Sequence, residues 1–523
     1  MKKIISIIIL FIVVSCAQQS MLTGGEKDIK APSLIEDRTN PKNFSTNFNS
    51  KVIQLYFDEY VQLKDAKNNF FVNPTIENIN LEEKGKSILI HINESLKQNT
   101  TYTFNFGSSI QDITENNPYK DFNYVLSTGD FIDSNLYHGC VYDAFSKKPL
   151  DNIKVMLYEN KLDSLTEKTT PNYLCTTNEL GKFKLGHLKE GSYFILAVDD
   201  KNKNSFPDPK NEKIAFDFNP IETLLPGDSS ANDTILMFLQ DAPLKVLEKS
   251  YLSTGKFQVL FNKKIDINNI KIDSINCFIE PRKFPTDTLT FWVESLPSSS
   301  LTFKLSVKDE FFSKDLKINT YTASSTDSVY TCKAKNINNL RPNDPLTLSF
   351  NHPIKSISNE KIHFLIDSVK SNPVSYFEGS MWYLTMPNAV NATYELIAEP
   401  GAFESIYGYK NDSVELLFKQ KSPSAFGDLF LDINCNSCEQ FIVELMNKEA
   451  LVKKFICNNN QLTDTIRLCN PGNYQLRLVN DLNKDGEWTT GNFNTLQPEP
   501  VFYYNEPMAI KPGWGLNIEW VIR

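Results

Sequence analysis

The sequence predicts an all-β protein made of tandem β-sandwich domains. Three observations predict it. The chain carries 36 Phe and 21 Tyr among 523 residues, with Gly/Pro/Asn/Asp clusters between short apolar runs. Those runs alternate apolar and polar residues with period two, the mark of half-buried strands. Two sequence patterns also recur along the chain, as they do when one module is used several times. About 500 residues exceed what one hydrophobic core holds, so several domains are expected.

The first element is "MKKIISIIILFIVVSCAQQS". Two lysines, an apolar run from Ile4 to Val14 and then Ser15-Cys16 read as an export signal over residues 1–15, too short to cross a bilayer. Cysteine directly after "VVS" resembles a bacterial lipobox, which implies removal of the signal and lipidation of Cys16. Residues 16–30 are polar and Gly-containing and read as a flexible tether. No later apolar run is long enough to span a membrane.

The first repeat follows. "VIQLYFDEYVQL" (52–63), "KFQVLFNKKIDI" (256–267) and "PLTLSFNHPIKSI" (345–357) each alternate into Phe57, Phe261 or Phe350. An Asx residue comes next (Asp58, Asn262, Asn351), and Val61, Ile265 or Ile354 stands four after the Phe. A second alternating stretch follows in each case: "NTTYTFNF" (99–106), "SLTFKLSV" (300–307) and "NATYELIA" (391–398). Three copies of one strand pair predict three related sandwiches, at 31–130, 241–325 and 326–422.

The second repeat fills the remaining chain. "LKEGSYFILAVDDKNKNSF" (188–206) and "CNPGNYQLRLVNDLNKDGE" (469–487) match at Gly191/Gly472, Tyr193/Tyr474, Asp200/Asp481, Asn202/Asn483 and Asn204/Asp485. Each follows a strand-rich run, which predicts a second sandwich type at 134–240 and 423–523.

Segment 31–130, with "FDEYVQL", "NTTYTFNFGSSIQDITENNPYKDF" and "LSTGD", resembles the SbsA-type bacterial Ig-like domain of Bacteroidota lipoproteins. "GGEKD", "DDKNKNSFPDPKNEKIAF" and "NDLNKDGEWTTGNFNTLQPEPVFYYNEPMAIKPGWGLNIEW" resemble the same lipoprotein family. The second sandwich type resembles transthyretin-like, carboxypeptidase-regulatory modules. The resemblance implies tandem Ig-like and transthyretin-like β-sandwich domains, a carrier or spacer role for the second type, and no active site in it.

Calcium takes six to eight oxygens from alternating Asp/Asn side chains and a later carboxylate. Asp200, Asn202 and Asn204 with Asp208 and Glu212 form one candidate loop, and Asp481, Asn483 and Asp485 with Gly486 form the other. Thr489 replaces the Asp of the family pattern in the second, and neither loop carries the position-twelve Glu of an EF-hand. Such Asx-rich turns also cap themselves by bonding their own backbone, with no metal. Calcium is therefore expected as an optional reinforcement, and no cofactor is required.

Net charge of −9 supplies no basic footprint, so no nucleic-acid partner is expected. Besides Cys16, the cysteines group as Cys140/Cys175, Cys277/Cys332 and Cys435/Cys438/Cys457/Cys469. Disulfides within those groups, buried free thiols, and a four-thiolate zinc site in the last group all remain open. The histidines His91, His138, His187, His352 and His363 are scattered, and no hydrolase, metalloprotease, P-loop or dinucleotide motif occurs, so no enzyme is expected. Of Trp488, Trp514 and Trp520, buried packing in a sandwich core is the favoured role, with sugar or partner binding as the other.

Asp-Ser/Thr-aliphatic occurs eight times, with acceptors Ser164, Thr234, Ser274, Thr288, Ser328, Ser368, Ser413 and Thr465. Average residue usage gives about two by chance. The tripeptide resembles the O-glycosylation acceptor motif of exported Bacteroidota proteins, although a turn followed by a strand gives the same pattern. The functional expectation is a non-enzymatic, lipid-anchored outer-membrane lipoprotein facing the cell surface or the periplasm. It would act as a multi-domain scaffold or accessory subunit of an envelope or outer-membrane protein assembly. The alternative is a surface adhesin or carbohydrate-binding protein with a glycan partner.

Overall fold

The computed structural model describes residues 28–523 apart from 121, 163–164, 166–168, 227–232, 309, 321–328, 388–391 and 494. The expected leader, Cys16, most of the tether, and the acceptors Ser164 and Ser328 lie outside the described residues. Two compact units emerge: one holds the chain up to Gln240 together with Thr490–Pro498, the other Asp241–Thr489 and Glu499–Arg523. Among the described residues, no helix is long and apolar enough to cross a membrane.

In the first unit, Val52–Tyr56, Ser87–Ile92 and Ile79–Lys84 form one antiparallel sheet, and Phe71–Asn73, Thr101–Asn105 and Asn123–Ser127 form another. Alternation drives Ile53, Leu55, Ile88 and Ile90 inward from the first sheet against Tyr102, Phe104 and Tyr124 from the second. A second sandwich follows. Tyr173–Thr176, Lys154–Tyr158, Ser192–Val198 and Ile214–Phe216 oppose Lys182–Leu188, Asn135–Asp143 and Asp233–Met237. The closing strand Asp233–Met237 runs parallel to Asn135–Asp143.

These two sandwiches are joined by side chains that imitate a strand. The Asn73 amide donates to the Leu174 carbonyl (2.8 Å) and its oxygen accepts the Leu174 N–H (2.8 Å), while Thr75 donates to the Pro171 carbonyl (2.6 Å). The segment Thr490–Pro498 packs into the same unit. Thr490 donates to the Leu239 carbonyl, Gln497 to the Phe216 carbonyl, and the Phe493 ring meets Phe216 edge to face at 5.5 Å.

The second unit holds three sandwiches. In the last, Ala450–Cys457, Phe441–Asn447, Gly472–Asn480 and Val501–Tyr503 oppose Gln461–Cys469, Gly427–Cys435 and Gly515–Ile522. Its closing strand Gly515–Ile522 is parallel to Gly427–Cys435, so its topology repeats that of the Lys154–Tyr158 sandwich. The repeated glycine has a physical reason: Gly191 (φ 157°) and Gly472 (φ 153°) take a backbone conformation that a Cβ disfavours. Two residues on, Tyr193 and Tyr474 each donate to the carbonyl four residues back, Lys189 (3.1 Å) and Asn470 (2.8 Å).

The first repeat has an equally specific role. Phe57, Phe261 and Phe350 are buried, as are Val61, Ile265 and Ile354. The Asx residue between them does more than end a strand: it clamps the incoming chain of its own sandwich. Asp58 accepts the Ser33 N–H (2.8 Å), Asn262 the Lys245 N–H (2.7 Å) and Asn351 the Thr331 N–H (2.9 Å). The two Asn amides also donate back, to the Pro243 and Val329 carbonyls. Asn262→Ala and Asn351→Ala are expected to cost about 1–2 kcal/mol each, because each exchanges two hydrogen bonds at a domain start for bonds to water. Asp58→Asn keeps the acceptor and should shift the urea midpoint far less.

Candidate functional site: two twinned carboxylate loops

The loop after Ser192–Val198 and the loop after Gly472–Asn480 share one set of hydrogen bonds from backbone amides to Asx side chains. Asp200 accepts the N–H groups of Asn204 (3.0 Å) and Ser205 (2.9 Å); Asp481 accepts those of Asp485 (3.2 Å) and Gly486 (2.9 Å). Asn202 accepts the Asn204 N–H and Asn483 the Asp485 N–H. Asn204 accepts the Phe206 N–H and Asp485 the Glu487 N–H. The second and third Asx side chains thus cap the amide two residues ahead, the leading Asp caps the amides four and five ahead, and the turn folds on its own backbone.

A buried glutamate closes each loop. Glu212 accepts the N–H groups of Lys201 (3.0 Å), Asn202 (3.2 Å) and Asp208 (3.2 Å). Glu499 accepts those of Leu482 (2.7 Å), Asn483 (3.3 Å) and Thr489 (2.8 Å). Glu499 is therefore the counterpart of Glu212, and Thr489 of Asp208. Sequence reasoning missed Glu499 because it lies eighteen residues after Asp481, whereas Glu212 lies twelve after Asp200. The shared signal was Glu-x-aliphatic-x-aromatic, "EKIAF" against "EPVFY".

The loops differ in what meets the first carboxylate. Lys154 donates to Asp200 (2.6 Å) and to the Ser205 hydroxyl (2.8 Å), so a side-chain ammonium already neutralises that loop. Asp481 instead receives the neutral Gln440 amide at 2.7 Å. Burial works to raise the Asp200 pKa, but Lys154 and the Ser205 and Asn204 amides outweigh it and hold the carboxyl below its ordinary range. For Glu499 burial wins over its amide donors and raises the carboxyl. Among the described residues, no group of three or more His, Cys, Asp and Glu converges to hold a metal ion.

A depressed folded pKa has a definite sign. Asp200 adds stability above the unfolded carboxylate value of about 3.9 and loses it as pH falls through the lower folded value. The thermal-stability gap between the wild type and Asp200→Asn should therefore be wide at pH 6 and shrink by pH 3.

Cys435 and Cys438 form a disulfide that closes the turn after Gly427–Cys435, so neither is a thiolate and the four-thiolate zinc site is overturned. Cys140, Cys175, Cys277, Cys332, Cys457 and Cys469 are free, so the other bridges considered are absent. Burial pushes the thiols of Cys277, Cys332 and Cys457 up to about 11, leaving them protonated and unreactive. Trp514 is 69% exposed rather than packed in a core; it sits in the turn before Gly515–Ile522 with Lys511 over its ring. Trp488 and Trp520 are half-buried, the first donating to the Glu499 carbonyl and the second edge-on to Tyr504.

The histidines serve separate local contacts: His91 meets Glu82, His363 meets Glu399, and His187 meets the Asp133 carbonyl. Of the described acceptors, Thr234, Ser274, Ser368, Ser413 and Thr465 are exposed and Thr288 is half-buried. Ser274 and Ser368 occupy left-handed turn positions (φ 76° and 68°), which present their hydroxyls at turn tips.

Comparison with known proteins locates one family. The bacterial Ig-like domain profile matches residues 28–128. No curated protein sequence matches the chain. Similar solved structures include SGBP-B of the Bacteroides ovatus mixed-linkage glucan utilization locus in complex with a heptasaccharide (11% identity, 61% of this chain and 82% of that one, TM-score 0.18). The S-layer protein SbsC (10%, 90% and 66%, 0.14) and the Bacillus cereus major pilin subunit BcpA (11%, 74% and 99%, 0.12) are others. The chain is thus an all-β protein of several tandem Ig-like β-sandwich domains, with a bacterial Ig-like domain at residues 28–128.

Proposed function

We propose that this chain is a non-enzymatic, lipid-anchored lipoprotein of the outer membrane. It acts as a multi-domain scaffold or accessory subunit of an envelope protein assembly. The observation that carries this reading is the way sandwiches are joined within each unit. Asn73 and Thr75 fix one junction, and Tyr407 fixes another by donating to the Val293 carbonyl at 2.7 Å. Junctions made by side-chain hydrogen bonds hold neighbouring domains at set positions, which is what a spacer supplies. The bacterial Ig-like domain and the lipobox-like Cys16 agree with that role.

The test is whole-cell crosslinking with identification of the captured protein, run beside metabolic labelling with a fatty-acid analogue. Incorporation of label that Cys16→Ala abolishes, together with one recurring membrane-protein partner, is expected. Recovery of an unlabelled, solitary chain would sink the proposal. Calcium at the twin loops and O-glycans at the exposed acceptors belong to the same reading; mass spectrometry of the protein purified from its own cells reads the glycans directly. The exposed Trp514 favours a second reading, an adhesin that stacks sugars on the last sandwich, which a glycan array of the full chain against Trp514→Ala decides.

A further inference from the structure

The first unit contains a cleft of about 530 Å³ lined by both of its sandwiches. On one side, Phe71, Asn105 and Asn123 lie in one cross-strand row, since Phe71 pairs with Asn105 and Asn105 with Asn123. On the other, Lys182 pairs with Cys140 and Lys184 with His138. Alternation puts those four side chains on the face opposite the buried Phe183, Leu185, Tyr137 and Val141. The cleft is therefore the outward face of one sheet set against the edge row of another. The Asn73 clamp to Leu174 joins the two sandwiches beside it.

Its chemistry departs from the rest of the molecule. The chain has a net charge of −9, yet among the described residues none lining this cleft carries a carboxylate, while two lysines and a histidine do line it. Among the described residues, neither lysine ammonium has an ion-pair or hydrogen-bond partner. A basic cleft in an acidic protein concentrates anions from solution. The Asn105 oxygen accepts the Gly107 N–H (2.9 Å) and its amide N–H groups suit a hydroxyl, while Phe71 brings a ring for the apolar face of a sugar. The volume falls in the range of small-ligand sites.

We propose that this cleft binds an acidic saccharide, a short uronic-acid oligomer. Its carboxylates meet Lys182 and Lys184, a hydroxyl meets the Asn105 amide, and a sugar ring packs on Phe71. This site does not depend on the scaffold reading and is distinct from Trp514.

The test is calorimetric titration of the full chain with oligogalacturonate, a neutral oligoglucoside and inorganic phosphate. Binding of the uronic oligomer is expected, at least tenfold weaker in the Lys182→Gln/Lys184→Gln double variant and in 0.5 M salt, and unchanged in Trp514→Ala. Phe71→Ala should weaken it as well. The double variant changes only exposed side chains and keeps the test decisive should Phe71→Ala fold poorly. Bound oligomer should also slow alkylation of the Cys140 thiol, which lines the cleft. No uronate binding, equal affinity for the neutral sugar or for phosphate, or binding untouched by the lysine double variant each overturns the proposal.

Discussion

Glu499→Ala is expected to lower the stability of the last sandwich by about 3 kcal/mol or more. The carboxylate accepts three backbone N–H groups from the 482–489 loop and is 5% exposed. An alanine leaves those donors without an acceptor where water reaches poorly, at about 1–3 kcal/mol for each buried donor. Glu212→Ala should do the same to its own sandwich, because its three bonds are equivalent. Thermal unfolding followed by near-ultraviolet circular dichroism reads both, and midpoints unmoved by either variant would refute the lock. The same experiment settles the metal. Millimolar calcium is expected to raise the wild-type midpoint, an increase that Asp481→Ala abolishes; an unchanged wild-type midpoint leaves a turn held by hydrogen bonds alone.

The second large effect lies on the outer face of the same sandwich. Arg477 donates through Nε to Glu444 at 2.7 Å and through Nη2 to the same oxygen, and its Nη1 reaches the Tyr503 hydroxyl. Pairing places Lys454, Glu444, Arg477 and Tyr503 in one row across four strands. The two charged side chains are only 13% and 12% exposed. Arg477→Met should therefore cost about 3–5 kcal/mol by leaving Glu444 buried without its counter-charge. Arg477→Met with Glu444→Met removes both charges and should recover most of that loss. A double variant no better than the single one in urea denaturation would show that the pair is not mutually compensating.

Much of the fold was legible in the sequence because strand alternation is a local property. Ile53, Leu55 and Phe57, or Phe257, Val259 and Phe261, can be assigned inward from period two alone, and all six are buried. The Gly-x-Tyr motif was legible for the same reason, since both its turn and its hydrogen bond fall within five residues. What escaped was non-local. Lys154 reaches its aspartate from another strand and Gln440 from the bend before Phe441–Asn447, so finding them needs the register. Glu499 was displaced by the added chain that carries Thr490–Pro498. Thiol pairing depends on distances that spacing does not encode, which is why Cys435 and Cys438 bridge while Cys140 and Cys175 stay free. Trp514 was assigned by composition to a core, but it falls in a turn, where no sheet face exists to bury it.

The segment Thr490–Pro498 has a consequence for the order of folding. Its bonds to Leu239 and Phe216 join residues 251 and 281 positions apart. Contacts of such high order close only after the intervening chain exists. A ribosome must therefore deliver almost the whole polypeptide before the first unit acquires its last elements. A premature stop near residue 489 would remove more than the C-terminal strands: it would leave Phe216, and Gln240 whose side-chain oxygen accepts the Phe493 N–H (3.1 Å), without their late-arriving neighbours, and the defect would surface in the half of the protein made first.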